Sequence, residues 1–300
     1  MTEGDSPTIA RRRVRLALRE ARESAGLTQN QVAEEMEWST SKVIRIENGD
    51  VSISANDLRS VLILLGIRDK SVVAGLLAAT RIARSRSRKP WYQAADFHTA
   101  LTDDLRKLIE YEAEATQIRS YSVYYIPGQV QTHDYATALM SRYEEDLSEE
   151  QRTKRVDTRM RRREALLART GDVQMLHLVD ESVLRRTVGG PSVFADQLRD
   201  LKTHVSSGIV RIRMVPFTLD VSVTNNASFD LLKMSGGEAL YRETGVGDEM
   251  IEDQLVTAKH HARYDRVWND AADEEDTIQF IDAQIKELER TVTDRARRKH

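Results

Sequence analysis

The stretch from Leu27 to Gly49 constrains this chain more than any other part of it. Thr28-Gln29-Asn30-Gln31 has the form of a capping box, in which the Thr28 hydroxyl accepts from the Gln31 amide and the Gln31 side chain reaches back. It opens a helix running to about Met36, with Val32, Ala33 and Met36 on one face. Only Glu37-Trp38 separates that helix from the next, which Ser39 caps and Gly49 ends. Two short helices joined this tightly must cross at a fixed angle, and the small Ala33 falls where they approach most closely. Val43 and Ile46 turn inward on the second helix, which leaves Thr40, Ser41, Lys42 and Arg45 outward.

That outward set is short hydroxyls and long cations near the N-terminal half of one helix, the part that meets base edges when a helix enters the major groove of double-stranded DNA. Arg45 has the shape for a bidentate pair with guanine, worth about 1–3 kcal/mol of base discrimination. Thr40 and Ser41 suit base edges or a thymine methyl, and Lys42 suits a phosphate. Gln29 and Asn30, at the positive start of the preceding helix, also suit phosphate contacts. Arg11, Arg12 and Arg13 are expected to add salt-dependent contacts. The alternative is a small structural bundle with an ordinary solvated basic face.

The flanks complete five helices. The first spans about Thr8 to Ala25, with Val14, Leu18 and Ala21 on one face. Ser54 caps a fourth whose Leu58, Val61, Leu62 and Leu65 recur at helical spacing, and Asp69 caps a fifth carrying Val72, Val73, Leu76 and Leu77. Charge divides along the chain in the same place. Residues 1–89 hold 16 Lys and Arg against 11 Asp and Glu, the remainder 29 against 37. A basic head on an acidic body fits a polyanion-binding module joined to one that avoids nucleic acid.

The pattern Leu27-Thr28-Gln29, Val32-Ala33, Ser39, Ser41-Lys42-Val43 and Arg45-Ile46-Glu47-Asn48-Gly49 resembles the Xre family, which has the fold of the lambdoid phage repressors. The resemblance spans roughly residues 10–75. It implies that Arg22 pairs with Glu47 in a partly buried ion pair linking the first and third helices. Ile44 is apolar where relatives often carry a polar residue, and either faces a thymine methyl or sugar or packs.

Beyond a basic run, Arg81 to Pro90, the sequence changes character. Helical patterns cover about 96–117, 132–146, 149–170, 192–206, 250–272 and 276–295. Strand-like runs are Ile118–Tyr125, Val173–Val179, Val210–Val215, Ser228–Met234 and Ala239–Glu243, the last two flanking a hairpin turn. The expected fold is therefore multidomain. An all-α five-helix domain at 8–82 and a basic linker at 83–91 precede a mixed α+β domain at 92–275, and a C-terminal helix with a basic tail occupies 276–300.

The second domain carries Tyr125-Ile126-Pro127-Gly128-Gln129-Val130-Gln131-Thr132, Tyr135-Ala136, the Arg161-Arg162-Arg163 cluster, Asp180 to Arg186, Val188-Gly189-Gly190-Pro191 and Phe229-Asp230-Leu231-Leu232. This order resembles the body of WhiJ-like Xre regulators of actinomycetes, an antitoxin-like family. The resemblance implies a transcription regulator acting with a small protein partner encoded nearby. Gln129-Val130 departs from it, standing where the family typically has two leucines, and is expected to alter the surface that loop forms.

Local chemistry here reads structurally. Pro127-Gly128 suggests a type II turn, and Gly190-Pro191 a tight helix entry. Arg155, Arg159 and Arg162 or Arg163 form a basic stripe, expected to pair with the carboxylates between Glu144 and Glu150 or else to meet DNA or an acidic partner. Ile278, Ile281, Ile285, Leu288 and Val292 form an apolar stripe that either packs on the body or joins two subunits.

Several function classes are excluded or left without support. With 40% hydrophobic and 31% charged residues the chain is globular, not disordered. It has no cysteine, which removes disulfides, thiolate metal sites and cysteine nucleophiles. No apolar run approaches the roughly 20 residues needed to cross a bilayer, so a cytoplasmic location without membrane contact is expected. No nucleophile elbow, phosphate loop or metal-binding histidine pair occurs, so no enzyme and no cofactor are expected. The expected function is sequence-specific transcription regulation by a homodimer on a pseudo-palindromic operator. Two alternatives are an antitoxin-like protein that autoregulates its operon and a sensor gated by a small ligand.

Overall fold

The computed structural model describes residues 6–85, 91–94, 97, 101–143, 148–169, 171–219, 227–243 and 247–297. The chain forms two compact units, Met1–Lys89 and Pro90–His300. Most of the expected linker and the last residues of the tail lie outside the described residues.

The first unit is five helices: α1 (Pro7–Ser24), α2 (Gln29–Glu35), α3 (Thr40–Asn48), α4 (Ala55–Leu64) and α5 (Lys70–Ala83). Ser6, Thr28, Ser39, Ser54 and Asp69 cap them in turn, each side chain accepting from a backbone N–H of the first turn. The core holds Val14, Leu18, Val32, Ala33, Val43, Ile46, Leu58, Val61, Leu62 and Leu76, with Met36 and Trp38 packed at its edge. The fifth helix is rotated from its expected face. Val72 is 48% exposed, and Ala79, Thr80 and Ala83 are buried beside Leu76, because small residues let α5 lie close along α1. Arg12 also departs from expectation: it is 1% exposed and sits within α1's inward face, which removes it from any DNA-facing set.

The second unit is a six-stranded mixed sheet with helices on both faces. A short 3-10 turn, Trp91–Gln93, is followed by α6 (Asp103–Glu114), β1 (Gln117–Ser122), a 3-10 turn Gly128–Val130, α7 (His133–Tyr143) and α8 (Glu149–Leu167). Then come β2 (Gln174–Asp180), α9 (Glu181–Arg185), α10 (Pro191–Ser206), β3 (Val210–Val215), β4 (Phe229–Met234), β5 (Gly237–Glu243), β6 (Asp248–Ile251), α11 (Gln254–Asp270) and α12 (Glu274–Arg297). The strand order is β3-β2-β1-β4-β5-β6. Strands β1, β2 and β3 are parallel, and β4 to β6 continue antiparallel from β1. The β4–β5 hairpin turns through Ser235-Gly236, and Met234 pairs with Gly237.

One sheet face is apolar under α11, where Tyr121, Leu178, Phe229, Leu231 and Leu240 meet Tyr264 and Val267. The opposite face lies under α6, α8 and α10. The apolar stripe of α12 packs on the body, with Ile281 at 0%, Ile285 at 8% and Leu288 at 7% exposure, and Lys202 on α10 bonds Asp282 at 2.6 Å.

Several local readings are corrected. Gly128 is not in the positive-φ region; Pro127 instead leads into the 3-10 turn, so there is no type II turn. Gln129 does not lie at the surface: it is 1% exposed, its amide donating to Asp230 Oδ2 at 3.0 Å and to Glu112 Oε1 at 3.3 Å. Two of the α8 arginines find partners on other helices, and Glu144, Glu145 and Asp146 lie outside the described residues. Arg162 binds Glu112 of α6 and Arg163 binds Asp200 of α10, because a helix buries the face that meets its neighbours. Gly189 and Gly190 have φ of 78° and 90°, and a Cβ on Gly189 would sit 2.7 Å from Val193, so both glycines are needed to enter α10.

Candidate nucleic-acid interface

Helices α2 and α3 are joined by four residues, Met36 to Ser39, and one of them is unusual. Glu37 has φ of 54°, the left-handed region that non-glycine residues rarely adopt. Its amide donates to Glu34 O at 3.1 Å and the Trp38 amide to Ala33 O at 2.8 Å, which closes α2 and reverses the chain. Ser39 Oγ then accepts from the Lys42 amide at 3.2 Å and starts α3.

The inward side of α3 is pinned by Val43, Ile46 and Glu47, all buried. Glu47, at 3% exposure, is the hub. Arg22 Nε donates to Glu47 Oε1 at 2.6 Å and Arg22 Nη2 to Oε2 at 3.1 Å, a two-pronged pair between α1 and α3. Gln29 Nε2 donates to Oε2 at 2.8 Å, and Arg19 Nη2 to the Glu47 carbonyl at 3.2 Å. The hydrogen bond to Glu47 leads the effects that raise the Arg22 pKa above its ordinary value. Arg22 Nη1 also donates to Leu27 O at 3.0 Å, tying the start of α2 into the same cluster. The three helices are thereby locked at one angle. Gly49, with φ of 84°, ends α3; a Cβ there would lie 2.9 Å from Arg15 Cδ.

With that side fixed, the outward side follows. Ser41 and Arg45 are exposed, Asn30 is exposed at the start of α2, and Thr40 is half-buried at the start of α3. The Arg45 guanidinium has no hydrogen bond or ion pair among the described residues. Ile44 is 38% exposed on the same helix. Lys42 is engaged within the unit: its Nζ stands 3.7 Å from the Trp38 ring centroid and 3.1 Å from Asp57 Oδ2. A half-exposed pair of that kind is worth about 0.2–1 kcal/mol, less than a phosphate contact at low salt, so Lys42 can exchange one anion for the other. Gln29 is held more firmly, because its amide helps satisfy a buried carboxylate. Sequence reasoning missed both engagements, and helical spacing alone could not show them, since Glu47 and Asp57 sit on other helices and Trp38 in the turn.

Two helices in this relation, one carrying an outward row of hydroxyl and cationic side chains, make a helix-turn-helix unit of a DNA-binding regulator. In agreement, residues 14–76 match the model of a helix-turn-helix domain. Residues 105–283, more than half of the chain, match a domain of unknown function, DUF5753, and the chain belongs to that family. No curated protein and no solved structure matches it. Among the described residues no helix is long and apolar enough to cross a membrane.

Proposed function

We propose that this chain is a sequence-specific transcription regulator of the Xre type that places α3 in the major groove as a homodimer on a pseudo-palindromic operator. In this reading Arg45 reads guanine, Thr40 and Ser41 meet base edges, and Asn30 and Lys42 hold phosphates. Gln29 contributes chiefly by holding Glu47, and Arg22–Glu47 sets the angle at which α3 is offered. The acidic second unit takes a small protein partner, acts without a cofactor and has no catalytic role, and the protein works in the cytoplasm. The supporting observation is the exposed Arg45 and Ser41 beside a buried, ion-paired inner face on the same helix.

The test is footprinting of wild type and Arg45→Ala across a randomised operator library. Loss of about 1–3 kcal/mol of discrimination at one base pair per half-site is expected. An unchanged sequence preference would remove Arg45 from its role. Light scattering of the free protein reports the dimer, and a monomer mass at every concentration would rule it out.

A further inference from the structure

The second unit covers a row of polar side chains, with Ser120, His177 and Tyr241 buried and Asp230 half-buried, where a sheet ordinarily buries apolar ones. His177 on β2 pairs in register with Ser120 on β1, Ser120 with Asp230 on β4, and Asp230 with Tyr241 on β5. Register partners point to the same face, so the four form one line across four strands. Glu112 of α6, Gln129 and Arg162 of α8 close over it, and Arg162 and Glu112 satisfy each other through two bonds of 2.7 and 2.8 Å. Asp230 differs. It accepts the Gln129 amide at 3.0 Å but has no cation within ion-pair distance among the described residues.

A cleft opens at the Asp230 end of this row. Asp230 and Tyr241 line it from the sheet and Arg159 and Arg162 from α8, with Tyr125 also at its wall. Arg159 Nη1 donates to Gln131 Oε1 at 2.7 Å. The cleft volume is about 70 Å³. One water needs about 10–15 Å³ on that measure, so a handful of heavy atoms fit and a nucleotide does not.

A carboxyl on the strand side, a guanidinium on the helix side and the Tyr241 and Tyr125 side chains in the same lining suit a molecule carrying both charges. We propose that this cleft binds a small zwitterion of the α-amino-acid class, its ammonium on Asp230 against the tyrosine rings and its carboxylate on Arg159. Aromatic faces attract an ammonium group, and an arginine fork matches a carboxylate. Burial, with repulsion from Glu112, pushes the Asp230 carboxyl up to about 6, and an ammonium in the cleft supplies a counter-charge at ion-pair distance. The proposal concerns the second unit alone and does not depend on the DNA reading.

The experiment is calorimetric titration and thermal shift of the full chain with the common amino acids. Each binder is then compared with its amine, lacking the carboxylate, and its acid, lacking the amine. The proposal expects at least one amino acid to bind, and both truncated analogues to bind at least tenfold more weakly. Asp230→Asn, folded by circular dichroism, should lose at least tenfold. Arg159→Gln, on a half-buried side chain, should do the same and gives an independent reading should the first variant fail to fold. Absence of binding by every amino acid, equal binding of an amine or an acid alone, or unchanged affinity in a folded variant each overturns it.

Discussion

The two units handle buried charge in opposite ways. In the first, one carboxylate is buried and every strong donor around it is aimed at it: Arg22 twice, Gln29 once, with Arg19 on the backbone behind. In the second, Glu112 and Arg162 are matched in the same manner, but Asp230 beside them is left with an amide and no cation. A saturated carboxylate fixes geometry; an undersupplied one stores affinity for something else. The same residue type thus acts as a structural pin in one unit and as a poised group in the other, and the difference lies in the donor count.

The largest effect that can break this contrast is at Glu47. Glu47→Ala removes the buried carboxylate on which Arg22 and Gln29 converge and leaves Arg22 the exposed Glu23 at 3.3 Å as its carboxylate partner; losing one partner of a buried pair costs up to about 3–5 kcal/mol. Amide hydrogen exchange read separately over α1–α5 and over the sheet should show the loss in the helical unit alone. Protection that falls equally in both units, or in neither, would contradict the assignment of Glu47 as a local pin.

Asp230 should behave in the reverse sense. Burial holds its folded pKa at about 6, above the ordinary carboxylate value of 3.8, so the folded state holds the proton more tightly. Its stabilising contribution is complete below about pH 4 and is lost as pH rises through about 6. At pH 8 the ionised group costs about 3 kcal/mol, at about 1.4 kcal/mol per unit. Asp230→Asn keeps an acceptor for the Gln129 amide and removes that cost. The variant should be more stable than wild type at pH 8, by up to about 3 kcal/mol, and indistinguishable from it at pH 4. Exchange over β1 and β4 at the two pH values measures this, and a variant less stable than wild type at pH 8 would make Asp230 a pin like Glu47.

How far each unit can be read from sequence follows from the same contrast. In the first, function and packing separate at a helical period, so Val43 and Ile46 inward and Ser41 and Arg45 outward follow from spacing. The caps at Thr28, Ser39, Ser54 and Asp69 are local chemistry, and the structure forms all four. The fifth helix was harder: its apolar residues nearly encircle it, and only packing on α1 decides that Val72 faces out. In the second unit the long strands and helices were legible, but the four-residue β6 was absorbed into the start of a helical pattern and the five-residue α9 left no periodicity. The polar row was invisible because register, not spacing, assembles it. Ser120, His177 and Asp230 are far apart along the chain and become neighbours only when β1 pairs with β2 on one side and β4 on the other.

Gly49 provides a smaller effect on the pinned side. A left-handed position costs a non-glycine residue about 1–2 kcal/mol, and the new Cβ would press on the side chain of Arg15, which is itself 5% exposed. Gly49→Ala is expected to destabilise the helical unit by about that amount, seen as reduced exchange protection in α3. A loss well beyond it would mean that Arg15 cannot move and belongs to the rigid set around Glu47.

Glu37 is the mirror case and the smallest effect. It occupies the left-handed region at φ of 54° without glycine's freedom, in the turn that sets α2 against α3. Replacement by glycine relieves the backbone but widens the unfolded ensemble, and the two nearly offset. Glu37→Gly is therefore expected to raise stability by no more than about 1 kcal/mol while leaving the α2–α3 angle unchanged, since Arg22 and Glu47 hold it independently. The informative comparison is operator affinity beside stability. If Glu37→Gly weakens DNA binding without lowering stability, the turn itself sets how α3 is presented. If neither falls, the ion pair alone is sufficient.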